Sequence, residues 1–245
     1  MSTIASAIPE WLKDSIRSLR AVAYAGEDRY CPICEKTARK FLTIGREVRE
    51  DAQCPHCLGS ERHRFVLLYL MRQTNLFNNQ PKQVLHVSPA RCLETKLKAG
   101  LGSRYLTADL FSPHAMVKMD ITDIQYPEQS FDVILCSHVL EHVDSDIAAM
   151  KEFHRVLKND GWAILLVPIT ADKTFEDPSI TDPAERLERF GEIDHVRRYG
   201  PDYIDRLRSA GFQVEKIEVE EVASPEEIAH MRLTADSGEI YLCRK

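Results

Sequence analysis

Two cysteine pairs constrain this chain more than any other feature. Cys31-Pro-Ile-Cys34 and Cys54-Pro-His-Cys57 are separated by 19 residues, a C-x2-C-x19-C-x2-C spacing. Two residues between cysteines let one tight turn aim both sulfurs at a single ion, and two such turns complete a tetrahedral shell of four thiolates. A shell without an open position holds structure and supplies no chemistry. The spacing therefore predicts a structural zinc ribbon over residues 29–58, with Cys31, Cys34, Cys54 and Cys57 as ligands. That segment has too few large apolar residues to make a core alone, a deficit that metal binding offsets in modules of this kind. A pair of redox motifs is the competing reading. His56 lies inside the second knuckle but is not needed to fill the shell.

The other three cysteines, Cys92, Cys136 and Cys243, lie singly in apolar stretches and read as core residues. An odd total of seven does not suit a secreted disulfide framework. No apolar run approaches the roughly 20 residues that span a bilayer. The first residues lack the basic and apolar regions of a secretory signal, so the expectation is a cytoplasmic protein with no membrane partner. The net charge of -6 gives no bulk attraction to nucleic acid. Its distribution is uneven: the first 80 residues carry 12 Lys and Arg against 9 Asp and Glu, and the remainder is distinctly acidic.

Helical periodicity is expected over 9–24 and over 60–75. From Gln83 onward short apolar runs alternate with helical ones. Strands are predicted at Val84–Val87, Arg104–Ala108, Met116–Met119, Phe131–Cys136 and Trp162–Val167, with a turn at Asn159-Asp160-Gly161 before the last. Helices are predicted at Arg91–Ala99, Asp144–Leu157, from an Asp182 N-cap, at Pro201–Ala210 and from Ser224. Phe212–Val219 and Glu239–Cys243 close the chain as an antiparallel pair. Such alternation argues for an α/β, Rossmann-like fold with a parallel sheet covered on both faces. The expected division is an N-terminal helix (1–28), the ribbon (29–58), a connecting helix (59–80) and one domain over 81–245.

Phe131-Asp-Val-Ile-Leu-Cys-Ser-His-Val-Leu-Glu-His-Val143 is followed by Glu152-Phe-His-Arg-Val-Leu-Lys-Asn-Asp-Gly-Trp-Ala-Ile-Leu166. Asp194-His-Val-Arg-Arg-Tyr199 and Ala210-Gly-Phe212 come later in the chain. In this order the motifs resemble class I S-adenosylmethionine-dependent methyltransferases, especially the broad group that includes the ubiquinone-biosynthesis-type enzymes. The resemblance covers over half the chain and implies a seven-stranded sheet and S-adenosylmethionine as cofactor.

In an open parallel sheet, ligands sit outside the carboxyl ends of the strands. Asp109 ends the second strand, where a carboxylate can accept from both ribose hydroxyls. The resemblance gives that role to Asp109, with Leu110 beside it. It gives Asp120 the adenine amino group and the Ile121 amide the ring. The family expects an acidic residue and then Gly-x-Gly-x-Gly after the first strand. Here His86 takes the acidic position, and Ser88, Pro89 and Ala90 form a glycine-poor loop. The helix from Arg91 still offers its N-terminus to the ligand carboxylate.

Ser137 and His138 follow the fourth strand and would face the methyl group. The insert Pro168–Tyr199 would cover the acceptor, with His195 as candidate general base and Tyr199 and Arg197 as orienting groups. Leu140-Glu-His142 is common to enzymes with unrelated substrates, so His142 reads as structural. Asp172, Glu176, Asp177 and Asp182 could meet a cationic or hydroxyl-rich acceptor. The favoured reading is O- or N-methylation of a small molecule such as a sugar or secondary metabolite. One alternative is an RNA methyltransferase using Arg39, Lys40, Arg46, Arg49, Arg62 and Arg64 as a basic face. Another is a non-catalytic protein that keeps the fold.

Overall fold

In the N-terminal part, β1 (Arg29–Cys31) pairs antiparallel with β2 (Lys36–Ala38), and β3 (Leu42–Ile44) with β4 (Arg49–Gln53). These hairpins come from a computed structural model that describes residues 16, 19–45 and 48–245. The predicted helix over 9–24 falls largely outside that range; Ile16 and residues 19–23 are helical. Helix α1 (Glu61–Arg72) follows, with Ser60 at its N-cap. Phe65 to Leu70 are buried without a break, so α1 is enclosed on every side.

The larger sheet begins with β5 (Val84–Val87), buried at all four residues as a central parallel strand must be. Helix α2 (Arg91–Leu101) returns the chain to β6 (Tyr105–Asp109), and β7 (Val117–Lys118) forms the edge. β8 (Phe131–Ser137), α3 (Asp146–Val156) and β9 (Leu157–Leu166) then build the other half. A small pair, β10 (Phe175–Glu176) with β11 (Arg197–Arg198), brackets α4 (Pro183–Phe190). After α5 (Tyr203–Ser209), β12 (Gln213–Ile217) and β13 (Ile240–Arg244) complete the sheet.

Its order is β12-β13-β9-β8-β5-β6-β7. β13 runs antiparallel to both β12 and β9, and the remaining pairs are parallel. The expected seven-stranded architecture is therefore present. β5 lies between β6 and β8, with His86 paired to Thr107 on one side and Leu135 on the other. The chain leaves β5 in one direction and later resumes on the opposite side. That crevice, outside the carboxyl ends, is where open α/β sheets bind ligands.

The predicted turn at 159–161 lies inside β9. The register jumps there, with Phe131 opposite Leu157 and Val133 opposite Trp162, so the extra residues form a bulge. Gly161 is required at that bulge: a Cβ would come within 2.8 Å of the Asp132 carbonyl oxygen.

The chain divides into two units, and the boundary differs from the expected one. One unit takes the described residues up to Thr74 together with Val219–Ser237; the other takes Asn75–Glu218 and Gly238–Lys245. The continuous domain expected over 81–245 is thus interrupted, because residues between β12 and β13 belong with the N-terminal part. That excursion contains α6 (Pro225–Met231). Arg64 explains its attachment. The guanidinium is fully buried, donates to the carbonyls of Ala52, Gly59, Met231 and Arg232, and lies over the Phe41 ring. Arg72 adds a two-point ion pair with Glu227, at 2.9 and 2.6 Å.

Candidate functional site

The four paired cysteines converge. Cys31 Sγ lies 3.6 Å from Cys57 Sγ, and Cys34 Sγ lies 3.7 Å from Cys54 Sγ. Four sulfurs about 2.3 Å from one tetrahedral ion stand roughly 3.8 Å apart. A disulfide would bring a pair to about 2.05 Å. The two knuckles share one geometry. Glu35 N–H bonds back to the Cys31 carbonyl and Leu58 N–H to the Cys54 carbonyl, and both donors sit at left-handed φ, 58° and 62°. The group could therefore hold a metal ion. His56 Nε2 is 3.0 Å from the Thr37 carbonyl oxygen, which leaves it outside the shell.

At the sheet, the loop after β5 adopts the shape that glycine would ordinarily supply. Ser88 has φ 45°, its N–H donates to the Ala108 carbonyl at 2.8 Å, and its side chain bonds Asp109. A left-handed conformation costs a non-glycine residue about 1–2 kcal/mol. Pro89 and Ala90 are half-buried, and Ala90 stands at the N-cap of α2 with no side-chain cap. Asp109 Oδ1 accepts from the amides of Phe111 and Ser112 at 2.8 and 2.7 Å. Partial burial works to raise its pKa, and the bonds from Ser112, Phe111 and Ser88 more than reverse this, so the carboxylate is held ionised. Leu110 follows, half-buried.

Asp120 is exposed, and its Oδ1 accepts from both the amide and the hydroxyl of Thr122. Ile121 is buried. A cavity of about 460 Å³ opens along β7 and takes in Leu110, Met119 and Asp120. It does not reach the Ser88–Ala90 loop.

His86 does not take the role expected of an acidic residue. Its ring is buried, with Nδ1 2.7 Å from the Tyr105 hydroxyl. Burial pulls its pKa down to about 4, so it is neutral at pH 7 and serves as the partner of Tyr105 in the core.

Two more expectations are corrected in the insert after β9. Tyr199 is fully buried, and its hydroxyl donates to Asp146 Oδ2 at 2.7 Å; it cannot orient a substrate. Arg197 is buried as well. It donates to the carbonyls of Leu140, Val143 and Asp144 and to Glu176 Oε2, so it fixes the turn after β8. Glu176 also pairs with Arg206 at 3.2 Å, so its charge is already matched within the protein. Asp177 caps its own turn through Ser179.

The tip of β8 carries a polar cluster that sequence reasoning found only in part. Ser137 is the last residue of β8, and His138, at φ 55°, follows it. His138 Nδ1 is 3.3 Å from Glu141 Oε1. Glu141 is 1% exposed, and its second oxygen, Oε2, has no hydrogen-bond partner. His142 Nδ1 lies 3.4 Å from Asp194 Oδ2, and the His142 and His195 rings meet edge to face at 4.7 Å. His195 Nδ1 is 3.4 Å from the Phe190 carbonyl oxygen. Burial, then His142, lowers the His195 pKa. Val196 N–H donates to the Glu141 carbonyl at 2.9 Å, which brings His195 alongside Glu141. The signal available in the sequence was Leu-Glu-His followed by a late histidine.

Two of the basic residues of the N-terminal part are turned to internal partners. Arg64 is buried, Arg49 pairs with Glu61 at 3.2 Å, and Arg46 lies outside the described residues. No helix among the described residues is long and apolar enough to cross a membrane.

Residues 74–165 match the family model described as a methyltransferase domain. That stretch of the chain, from the end of α1 to β9, is thus similar to a methyltransferase domain. The methyltransferase YcgJ of Bacillus subtilis is 36% identical over 74 residues, which are 30% of this chain and 28% of that protein. The chain thus matches under a third of the length of this curated relative. An S-adenosylmethionine dependent methyltransferase from Mesorhizobium loti has the same fold, with a TM-score of 0.53 at 14% identity, covering 77% of this chain and 100% of that one. A SAM dependent methyltransferase from Archaeoglobus fulgidus gives 0.47 at 15% identity, over 76% and 95%. The matched stretch holds Ser88, Asp109, Asp120, Ser137, His138 and Glu141, whereas His195 lies beyond it.

Proposed function

We propose that this chain transfers the methyl group of S-adenosylmethionine to an oxygen or nitrogen of a small-molecule acceptor. The observation that carries this reading is the Ser88–Asp109 contact at the tips of β5 and β6. An ionised carboxylate stands at the carboxyl end of β6, bonded by Ser88 of a loop that takes up a left-handed φ without glycine. The residues fit the cofactor there. Asp109 would hold the ribose, Leu110 and Ile121 would line the adenine with Asp120 at its amino group, and the α2 N-terminus behind Ser88, Pro89 and Ala90 would face the methionine carboxylate. The sulfonium supplies an activated methyl group; the protein orients the acceptor against it. Ser137, at the carboxyl end of β8, would face that methyl group. His138 and His195 are the imidazoles that would take the acceptor's proton.

Zinc is the ion we assign to the four cysteines. Its role is structural, since four thiolates leave it no open position. A small acceptor suits the acidic chain better than RNA, and two of the N-terminal cations, Arg49 and Arg64, are spent on internal partners. Calorimetry on the full chain with S-adenosylhomocysteine tests the reading. Binding is expected, weakened by about tenfold or more in Asp109→Ala, roughly 1.4 kcal/mol. A wild-type chain that binds neither S-adenosylhomocysteine nor S-adenosylmethionine would overturn it.

A further inference from the structure

Among the described residues, two groups of side chains could hold a metal ion, and the second is not made of cysteines. One atom from each of Glu141, His142 and His195 lies within 4.8 Å of the others. Two imidazoles and a carboxylate are the donors that first-row divalent cations take in sites with vacant positions.

The decisive feature is Glu141. It is buried, one oxygen faces His138, and Oε2 has no donor. Buried carboxylate oxygens are rarely left so, and when they are, an unplaced ion or water is the usual reason. Both histidines have one ring nitrogen, Nδ1, facing an acceptor. Metal-binding histidines give one ring N–H to a carboxylate or a backbone carbonyl and present the other nitrogen to the ion. Here His142 Nδ1 points at Asp194 and His195 Nδ1 at the Phe190 carbonyl. The support beneath is rigid, because Arg197 grips the carbonyls of Leu140, Val143 and Asp144, and Val196 binds that of Glu141. Ligand atoms about a tetrahedral ion stand roughly 3.3 Å apart. His142 is exposed and free of core packing, so its ring can move to close the present spread.

We propose that Glu141, His142 and His195 form a binding site for a divalent cation, separate from the four-cysteine group. The site does not rest on the methyl-transfer reading. On that reading it deepens it, because an ion at the tip of β8 holds an acceptor oxygen in its vacant positions, and the proton-accepting role passes from His195 to His138.

The test is a Co2+ titration of the full-length protein with zinc already in its cysteine group. Cobalt held by nitrogen and oxygen gives weak visible d–d bands, whereas cobalt held by cysteine gives intense thiolate charge-transfer bands in the near ultraviolet. The expected result is visible bands saturating at one cobalt per chain, with zinc retained. Affinity should fall by about tenfold or more in His195→Asn and Glu141→Gln. His195→Asn changes a half-buried side chain, so it decides the matter if Glu141→Gln does not fold. Absence of visible bands, thiolate bands alone, or bands unchanged in His195→Asn would overturn the proposal. Calorimetry with S-adenosylhomocysteine on the same samples reports separately on methyl transfer.

Discussion

Asp146 and Arg206 meet in a two-point ion pair, Oδ2 to Nε at 2.8 Å and Oδ1 to Nη2 at 2.7 Å. Asp146 is 1% exposed and also accepts from Tyr199. The pair anchors the start of α3 to α5, directly after the turn that carries Glu141 and His142.

Removing one partner of a buried pair is costly, but Arg206 and Arg197 keep Glu176 as a partner, so the cost here is about 1–3 kcal/mol. Asp146→Asn is expected to lose stability in that range by urea denaturation. The same group predicts acid sensitivity. Burial tends to raise the Asp146 pKa, but Arg206, Arg197 and Tyr199 reverse this and set it below its ordinary value. A depressed folded pKa contributes stability above the unfolded value, about 3.9. That contribution is lost as pH falls through the folded value. Asp146→Asn should flatten this part of the stability profile below about pH 4.

The loop after β5 offers a test of backbone strain. Ser88 at φ 45° occupies a conformation that β-branched residues almost never adopt. Ser88→Val should destabilise by about 1–3 kcal/mol. Ser88→Gly should stay within about 1 kcal/mol of wild type, relief of strain being offset by added chain entropy. Equal losses in both variants, read from chemical denaturation, would contradict the strain argument.

How much of this was readable beforehand depended on the range of the interaction. Val84–Val87 is a strand as expected, because an unbroken apolar run of four needs only its own residues to be recognised. Phe131–Ser137 extends the expected strand by a single residue. The bulge at Gly161 read as a turn, since local chemistry cannot tell a strand that bends from one that ends. The roles of Tyr199 and Arg197 were hidden for a different reason. A phenol near a histidine looks like a substrate contact until Asp146, distant in sequence, claims its hydroxyl. His86 was misread similarly, its partner Tyr105 lying on the next strand. Glu141 was passed over inside a common tripeptide; only the fold brings His195 to it.

Arg64 gives a sharp prediction about side-chain shape. Its fork serves four carbonyls at once, at 2.7 to 3.2 Å. A lysine ammonium is a compact charge with three donors and cannot span them. Arg64→Lys should therefore destabilise the N-terminal unit by about 2–4 kcal/mol, each stranded buried carbonyl costing roughly 1–3 kcal/mol less what relaxation recovers. Hydrogen exchange resolved by segment is the measurement. Loss confined to a few tenths of a kcal/mol would show that the four bonds contribute little.

Metal removal should act at a distance in the sequence. Stripping the cysteine group with a chelator is expected to raise amide exchange over residues 29–58. It should also raise exchange over Val219–Ser237, whose carbonyls at Met231 and Arg232 depend on Arg64. Protection persisting at 219–237 in the stripped protein would count against that coupling. Exchange in β5, β8 and β9 should change little.

The excursion between β12 and β13 also sets an order of events during synthesis. The cysteine knuckles and α1 wait for residues translated 167 and 168 positions after Arg64, because Arg64 finds two of its four acceptors only when Met231 and Arg232 have left the ribosome. A segment made before the sheet is thus finished only after most of the sheet has emerged, and a chain halted near Glu218 would present α1 with part of its wall missing.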